Sequence, residues 1–183
     1  MRERELRRYC RGLLNELGIR PPLDVHELCR RVGERRGKPI RPVAHPIPVP
    51  GPFGAWVSTA SADYLLHQSE TSRAHQDHII LHELGHILAG HRCERADDTL
   101  PAQLDPADGP TLARRYPDLA PEAVRRALHR TSYDSDQERA AETVATIILE
   151  WATVFESVGP PATSADDTAR RMGNALTARW GWL

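Results

Sequence analysis

Apolar residues recur at helical spacing in the first segment of the chain: Leu6, Cys10, Leu13, Leu14 and Leu17. Intervals of three and four put them on one stripe, which predicts an amphipathic helix over Arg4–Leu17 with Gly18 as its C-terminal stop. After Pro21-Pro22, Asp24 is a good N-cap for a short helix through Val32 that ends at Gly33. The pattern then breaks. Pro39–Pro52 is too rich in proline for a helix or a central strand and reads as an extended connector. Gly54–Ala60 and Tyr64–Gln68 are short β-type runs, and Ser61-Ala62-Asp63 between them reads as the turn of a hairpin.

A strong helical pattern follows from Ser72 to about Gly90. At about 100° per residue, His75, His78, His82 and His86 share one face, while Ile80, Leu84, Ile87 and Leu88 share the opposite one. His91 falls with the apolar side if the helix stays regular, a poor place for a ligand. Cys93–Pro121 is rich in Pro, Asp and Gly and reads as loop or poorly ordered structure, with room for one short helix. Pro121–His129 is helical, with Pro121 at a starting position. Ser135 to about Ser157 is a second strong helix, backed by Val144, Ile147, Ile148, Trp151 and Phe155. A last amphipathic stretch runs from Ser164 to Trp180, with Ala169, Met172, Leu176 and Trp180 on one stripe.

These elements predict one α+β domain over 1–183, mainly helical, with a small antiparallel or mixed sheet. Its parts are a helical layer at 1–35 and the connector and hairpin at 36–71. The helices of the site follow at 72–158, with a loop at 93–120, and a C-terminal helix at 162–183. A chain of 183 residues suffices for one core. The formal net charge of −1 gives no electrostatic reason for nucleic-acid binding, and no apolar run approaches a membrane span. Three cysteines, Cys10, Cys29 and Cys93, form no CxxC pair, which suits buried thiols in a reducing compartment. The charged start, Met1–Arg11, is no signal peptide. The expected location is the cytoplasm.

The chemistry is concentrated in His82-Glu83-Leu84-Gly85-His86. Two histidines four apart on a helix project from one face and can converge on a single metal ion. Glu83 points to the adjoining side, where it can take a proton from a water activated by that metal. An open-site zinc needs a third protein ligand. The pattern with a glycine three and a histidine six residues after His86 fails, because Ala89 and Arg92 stand there. A glutamate on a later helix remains, and Glu138 in Glu138-Arg139-Ala140-Ala141-Glu142 is the candidate. Glu142, one turn on, is placed to accept the N–H of a ligand histidine. Ala140 and Ala141 are small enough to let two helices meet around an ion. The competing reading of Glu138 and Glu142 is a solvated helix face paired with Arg139. Asp134 and Asp136 suit the helix N-terminus, and His78 suits the rim of the site. Tyr133 and His129, with Arg130, stand where a transition-state stabiliser could be placed; packing or solvent exposure is the plainer reading.

HELGH followed by E-x-x-A-E-x-x-A-x-x and two positions of Ile or Leu, here Glu138–Leu149, resembles the ImmA/IrrE zinc metallopeptidases. Arg130–Asp134 resembles the lead-in found in a small actinobacterial branch, often labelled a toxin or regulator component. The order of helical layer, hairpin and motif helix is similar too. The resemblance implies a zincin-like, gluzincin-type fold with Zn²⁺ held by His82, His86 and Glu138. It makes Glu83 the general base and Glu142 an outer partner. It further implies an XRE-type helix-turn-helix protein as substrate or partner, with limited cleavage as the activity. A non-proteolytic zinc-containing regulator or toxin component that binds such a repressor is the alternative. Two features depart from the family: a longer stretch between His86 and Glu138, and Val144-Ala145 where an aromatic-alanine pair is usual. The Tyr64–Gln68 strand is expected to align an extended substrate if it forms the edge of the sheet.

Overall fold

Leu6, Cys10, Leu13 and Leu14 form the buried side of α1, Glu3–Glu16, in the computed structural model of the chain. The structure describes residues 3–48, 50–91, 116–120, 123–124, 127–128 and 134–157, with side chains of the last stretch through 153. Helix α1 closes as expected, at Gly18 with φ 62°, a left-handed value that costs glycine little. Asp24 caps α2, Val25–Arg36, its carboxylate accepting the Glu27 N–H at 2.9 Å. The helix does not stop at Gly33. It continues to Arg36 and turns at Gly37, φ 68°. Gly33 serves close packing instead, since a Cβ there would sit 2.7 Å from the Ile40 nitrogen and 3.1 Å from the Lys38 oxygen.

The proline-rich connector is extended as expected, but part of it is a strand. Ile40–His45 forms β1 and pairs parallel to β3, Asp63–Gln68. Pro42 is tolerated because, among the described residues, β1 lies at an edge and hydrogen-bonds on one side only. Strand β2, Gly54–Ser58, runs antiparallel to β3, with Trp56 opposite Leu65. The turn between them is closed by Thr59 N–H donating to the Ala62 carbonyl at 2.9 Å. Strand order is β1-β3-β2. The condition under which Tyr64–Gln68 would align a substrate, a place at the edge of the sheet, is therefore not met. Both neighbours hydrogen-bond to it, and every residue of β3 is buried.

Alternation along the strands divides the core. Trp56, Leu65 and Ile40 face the helices, whereas Val43, Ala55, Val57, Tyr64 and Leu66 face away from them. The second face is covered by Leu119, Val124 and Leu128. Part of the expected loop 93–120 is thus packed structure: Tyr116 meets the Tyr64 ring edge-on at 5.4 Å, and the Tyr64 hydroxyl donates to Asp118. The four described residues of the expected Pro121–His129 helix are helical. Buried Asp63 ties the corner together, accepting from Lys38 Nζ at 2.7 Å, Ser58 Oγ at 2.8 Å, Arg36 at 2.9 Å and the Trp56 indole at 3.2 Å.

Helix α3, Arg73–Leu88, starts at Ser72, whose Oγ accepts the His75 N–H at 3.3 Å. From Ile79 onward all its residues are buried except His82, which is partly exposed. It runs between the sheet, α2 and the last described helix, α4, Ser135–Ser157. Ala141, Val144, Ala145, Ile147 and Ile148 are the buried side of α4, and Arg7 of α1 reaches Glu150 of α4 at 2.8 Å. The described residues therefore form an α+β arrangement of four helices and a three-stranded mixed sheet. None of their helices is long and apolar enough to cross a membrane. Cys93, His129, Arg130, Tyr133 and the expected C-terminal helix lie outside the described residues.

Candidate metal centre

Helices α3 and α4 touch where α3 has no side chain. A Cβ on Gly85 would lie 2.6 Å from the Ala141 carbonyl oxygen and 3.0 Å from its Cα. That contact lets Glu138, one turn before Ala141, reach across to the histidines of α3. His82 Nε2 lies 3.1 Å from Glu138 Oε2, His86 Nε2 lies 3.6 Å from Glu138 Oε1, and the two Nε2 atoms are 3.2 Å apart. The three residues form the one group of three or more such side chains among the described residues able to share an ion.

The chemistry of the donor set fits a divalent cation. Zinc–nitrogen bonds of about 2.0–2.1 Å in a tetrahedron put neighbouring ligand atoms ~3.3 Å apart, close to the three distances found. Two imidazole nitrogens and a carboxylate facing one another at this range are satisfied by a shared metal ion or by a proton between them. His86 is fully buried, and burial, with the His82 and His91 charges next, pushes it down to about 3. It therefore stays neutral across the physiological range, the form in which imidazole coordinates.

Each of these two histidines has a partner behind it. His82 Nδ1 lies 3.3 Å from Glu142 Oε2, as expected from the spacing of the two glutamates. The same oxygen lies 3.2 Å from His78 Nε2, so His78 is an outer member of the site. His75 turns away, with Nδ1 at 2.9 Å from Thr71 Oγ1 and its ring 5.2 Å from that of Phe53. His91 departs from its expected place on the apolar side. Helix α3 ends at Leu88, the chain turns at Gly90 with φ 74°, and His91 Nδ1 comes within 3.0 Å of His86 Nδ1. Gly90 before His91 was the signal available in the sequence, because a left-handed residue ends the helical register.

Glu83 is 6 % exposed and sits at the edge strand. The Trp56 backbone N–H bonds to its carboxylate, and a Cβ on Gly54 would lie 2.9 Å from Glu83 Oε1. Its Oε2 is buried with no hydrogen-bond partner. Burial first, and the Glu138 charge second, push its carboxyl up to about 8. A nearby cation acts in the opposite direction. A buried carboxylate with one bonded and one free oxygen, beside a cluster of metal-type donors, is equipped to take up and release a proton. The role of β2 in holding Glu83 was not legible in the sequence, because it depends on how the sheet is ordered.

Comparison with protein-family models, with curated proteins and with solved structures found no match for this chain.

Proposed function

We propose that the chain is a zinc-dependent metallopeptidase of the gluzincin type, making limited, partner-specific cuts in an XRE-type helix-turn-helix repressor. One observation carries the hydrolase reading. His82, His86 and Glu138 converge within bonding range of a single ion while Glu83 stands buried beside them. The partner rests on the motif resemblance of His82–His86 and Glu138–Leu149.

Zinc bound there supplies Lewis acidity, acidifying a water and polarising a peptide carbonyl. His82 and His86 would offer Nε2 lone pairs to the ion, and Glu142 would accept the His82 Nδ1–H, holding that ring in place. Glu83 takes a proton from the attacking water as the new carbon–oxygen bond forms. It then hands the proton to the amine nitrogen as the carbon–nitrogen bond breaks, so the side chain ends as it began. An extended peptide has β2 to pair with, the edge strand beside Glu83, in place of the interior strand β3.

Incubating the protein with the repressor and resolving the products on a gel tests the proposal. Discrete fragments are expected, lost on chelation and lost in Glu83→Gln while zinc content persists. A repressor that is bound but stays whole supports the alternative, a non-proteolytic zinc-containing regulatory or toxin component.

A further inference from the structure

The two ligand histidines are held from behind in different ways. His82 has a carboxylate from another helix, Glu142, at 3.3 Å. His86 has a second imidazole from the end of its own helix. Gly90 N–H donates to the Ile87 carbonyl at 3.2 Å and His91 N–H to the His86 carbonyl at 3.0 Å. This is the bond pair of a glycine-terminated helix end. The turn swings the His91 ring to 5.1 Å from that of His86, tilted by 61°, with the Nδ1 atoms 3.0 Å apart.

Proton placement follows from the geometry. His86 Nε2 faces His82 Nε2 at 3.2 Å and Glu138 Oε1 at 3.6 Å, so it must offer a lone pair if it is to coordinate. A neutral imidazole carries one N–H, which leaves the proton on Nδ1. Its neighbour there, His91 Nδ1, must then be the acceptor, with the His91 proton on Nε2. Because His91 Nδ1 meets the side of the His86 ring away from the other two donors, it is a support and not a further ligand.

We infer that His91 is a positioning residue: it accepts the His86 Nδ1–H and so holds His86 in the tautomer and ring orientation that offer Nε2 to a divalent cation. The inference rests on the metal-site part of the proposed function and is independent of whether a peptide is cut.

Zinc affinity measured by chelator competition tests it, together with the visible spectrum of the cobalt(II)-substituted protein and the melting of metal-free protein. Loss of an outer partner typically costs 10–100-fold in metal affinity, and His91→Ala is expected to fall in that range with an altered cobalt spectrum. His91→Asn, whose side-chain oxygen can accept the same N–H, is expected to recover most of the affinity. Metal-free melting is expected to be the same in all three proteins, because His91 is only partly buried, on a turn. Unchanged zinc affinity in His91→Ala overturns the inference. So does an equal loss in both variants accompanied by lower metal-free melting. Wild-type protein that binds zinc but never cleaves defeats the peptidase reading and leaves this result standing. Wild-type protein that takes up neither zinc nor cobalt overturns both.

Discussion

Gly85 and Ala141 are in backbone contact: the space a Gly85 Cβ would fill is occupied by the Ala141 carbonyl oxygen, 2.6 Å away. This contact sets the separation of α3 and α4, and with it the reach of Glu138. Gly85→Ala therefore has opposed effects. Alanine is the better helix former by about 1 kcal/mol, but overpacking against backbone costs about 1–3 kcal/mol. The steric effect is expected to win, since neither helix backbone can rotate aside. Lower melting of the metal-free protein and weaker zinc binding are the expected readings. A more stable variant with intact zinc affinity would show that the helices separate without cost.

Gly54→Ala probes the other side of the site. Its Cβ would meet Ile79 Cγ2 at 2.5 Å, Glu83 Oε1 at 2.9 Å and the Leu66 oxygen at 3.1 Å. Ile79 is β-branched on a helix and has essentially one χ1 rotamer, so relief comes from a shift of β2 against α3, which disturbs the seat of the Glu83 carboxylate. General acid–base groups contribute about 10²–10⁴-fold in rate, and a drop of at least about tenfold in cleavage is expected at equal zinc content. Full activity would place the proton transfer elsewhere.

Glu138 and Glu142 stand one turn apart and are expected to separate in a metal-binding assay. Glu138→Ala removes a direct donor and should abolish tight zinc binding. Glu142→Ala removes the partner of His82 Nδ1 and should cost about 10–100-fold. Equal, small losses in both would return the pair to a solvated helix face.

Asp63 is expected to contribute to acid stability. Burial alone would raise its carboxyl, but Lys38, Ser58, Arg36 and Trp56 outweigh that and hold it below the usual range. The unfolded chain, titrating near ~3.9, is then the stronger proton binder. The contribution of Asp63 is complete above that value and is lost as pH falls through the lower native one. Asp63→Asn is expected to cost about 1–3 kcal/mol near neutrality, the scale for losing hydrogen bonds to charged groups, since Lys38 and Arg36 keep contact with water. It should also flatten the acid limb of a pH–stability curve. An unaltered limb would assign acid unfolding to other carboxylates.

Much of this architecture is legible locally. Asp24 and Ser72 start their helices because a side-chain oxygen accepts a free N–H three residues on. The hairpin follows from two β-type runs and a polar turn. Local signals mislead where they have two causes. Gly33 looks like a helix stop, yet it is a glycine because Ile40 returns against it. Pro42 argues against a strand, yet an edge strand needs no donor on its open side. Tyr116–Leu119 reads as loop until the outer face of the sheet requires cover.

The primary structure by itself determined which side chains could act together along one helix. His82 and His86 share a face because four residues make about one turn, whatever surrounds them. It also determined that Glu138 and Glu142 occupy successive turns of another helix. Only the tertiary structure decided that these two surfaces meet, that β3 lies inside the sheet and β2 beside Glu83, and that His91 turns back behind His86. Each of those relations depends on contacts between residues far apart in the chain or on a single left-handed turn, and neither follows from helical or strand periodicity.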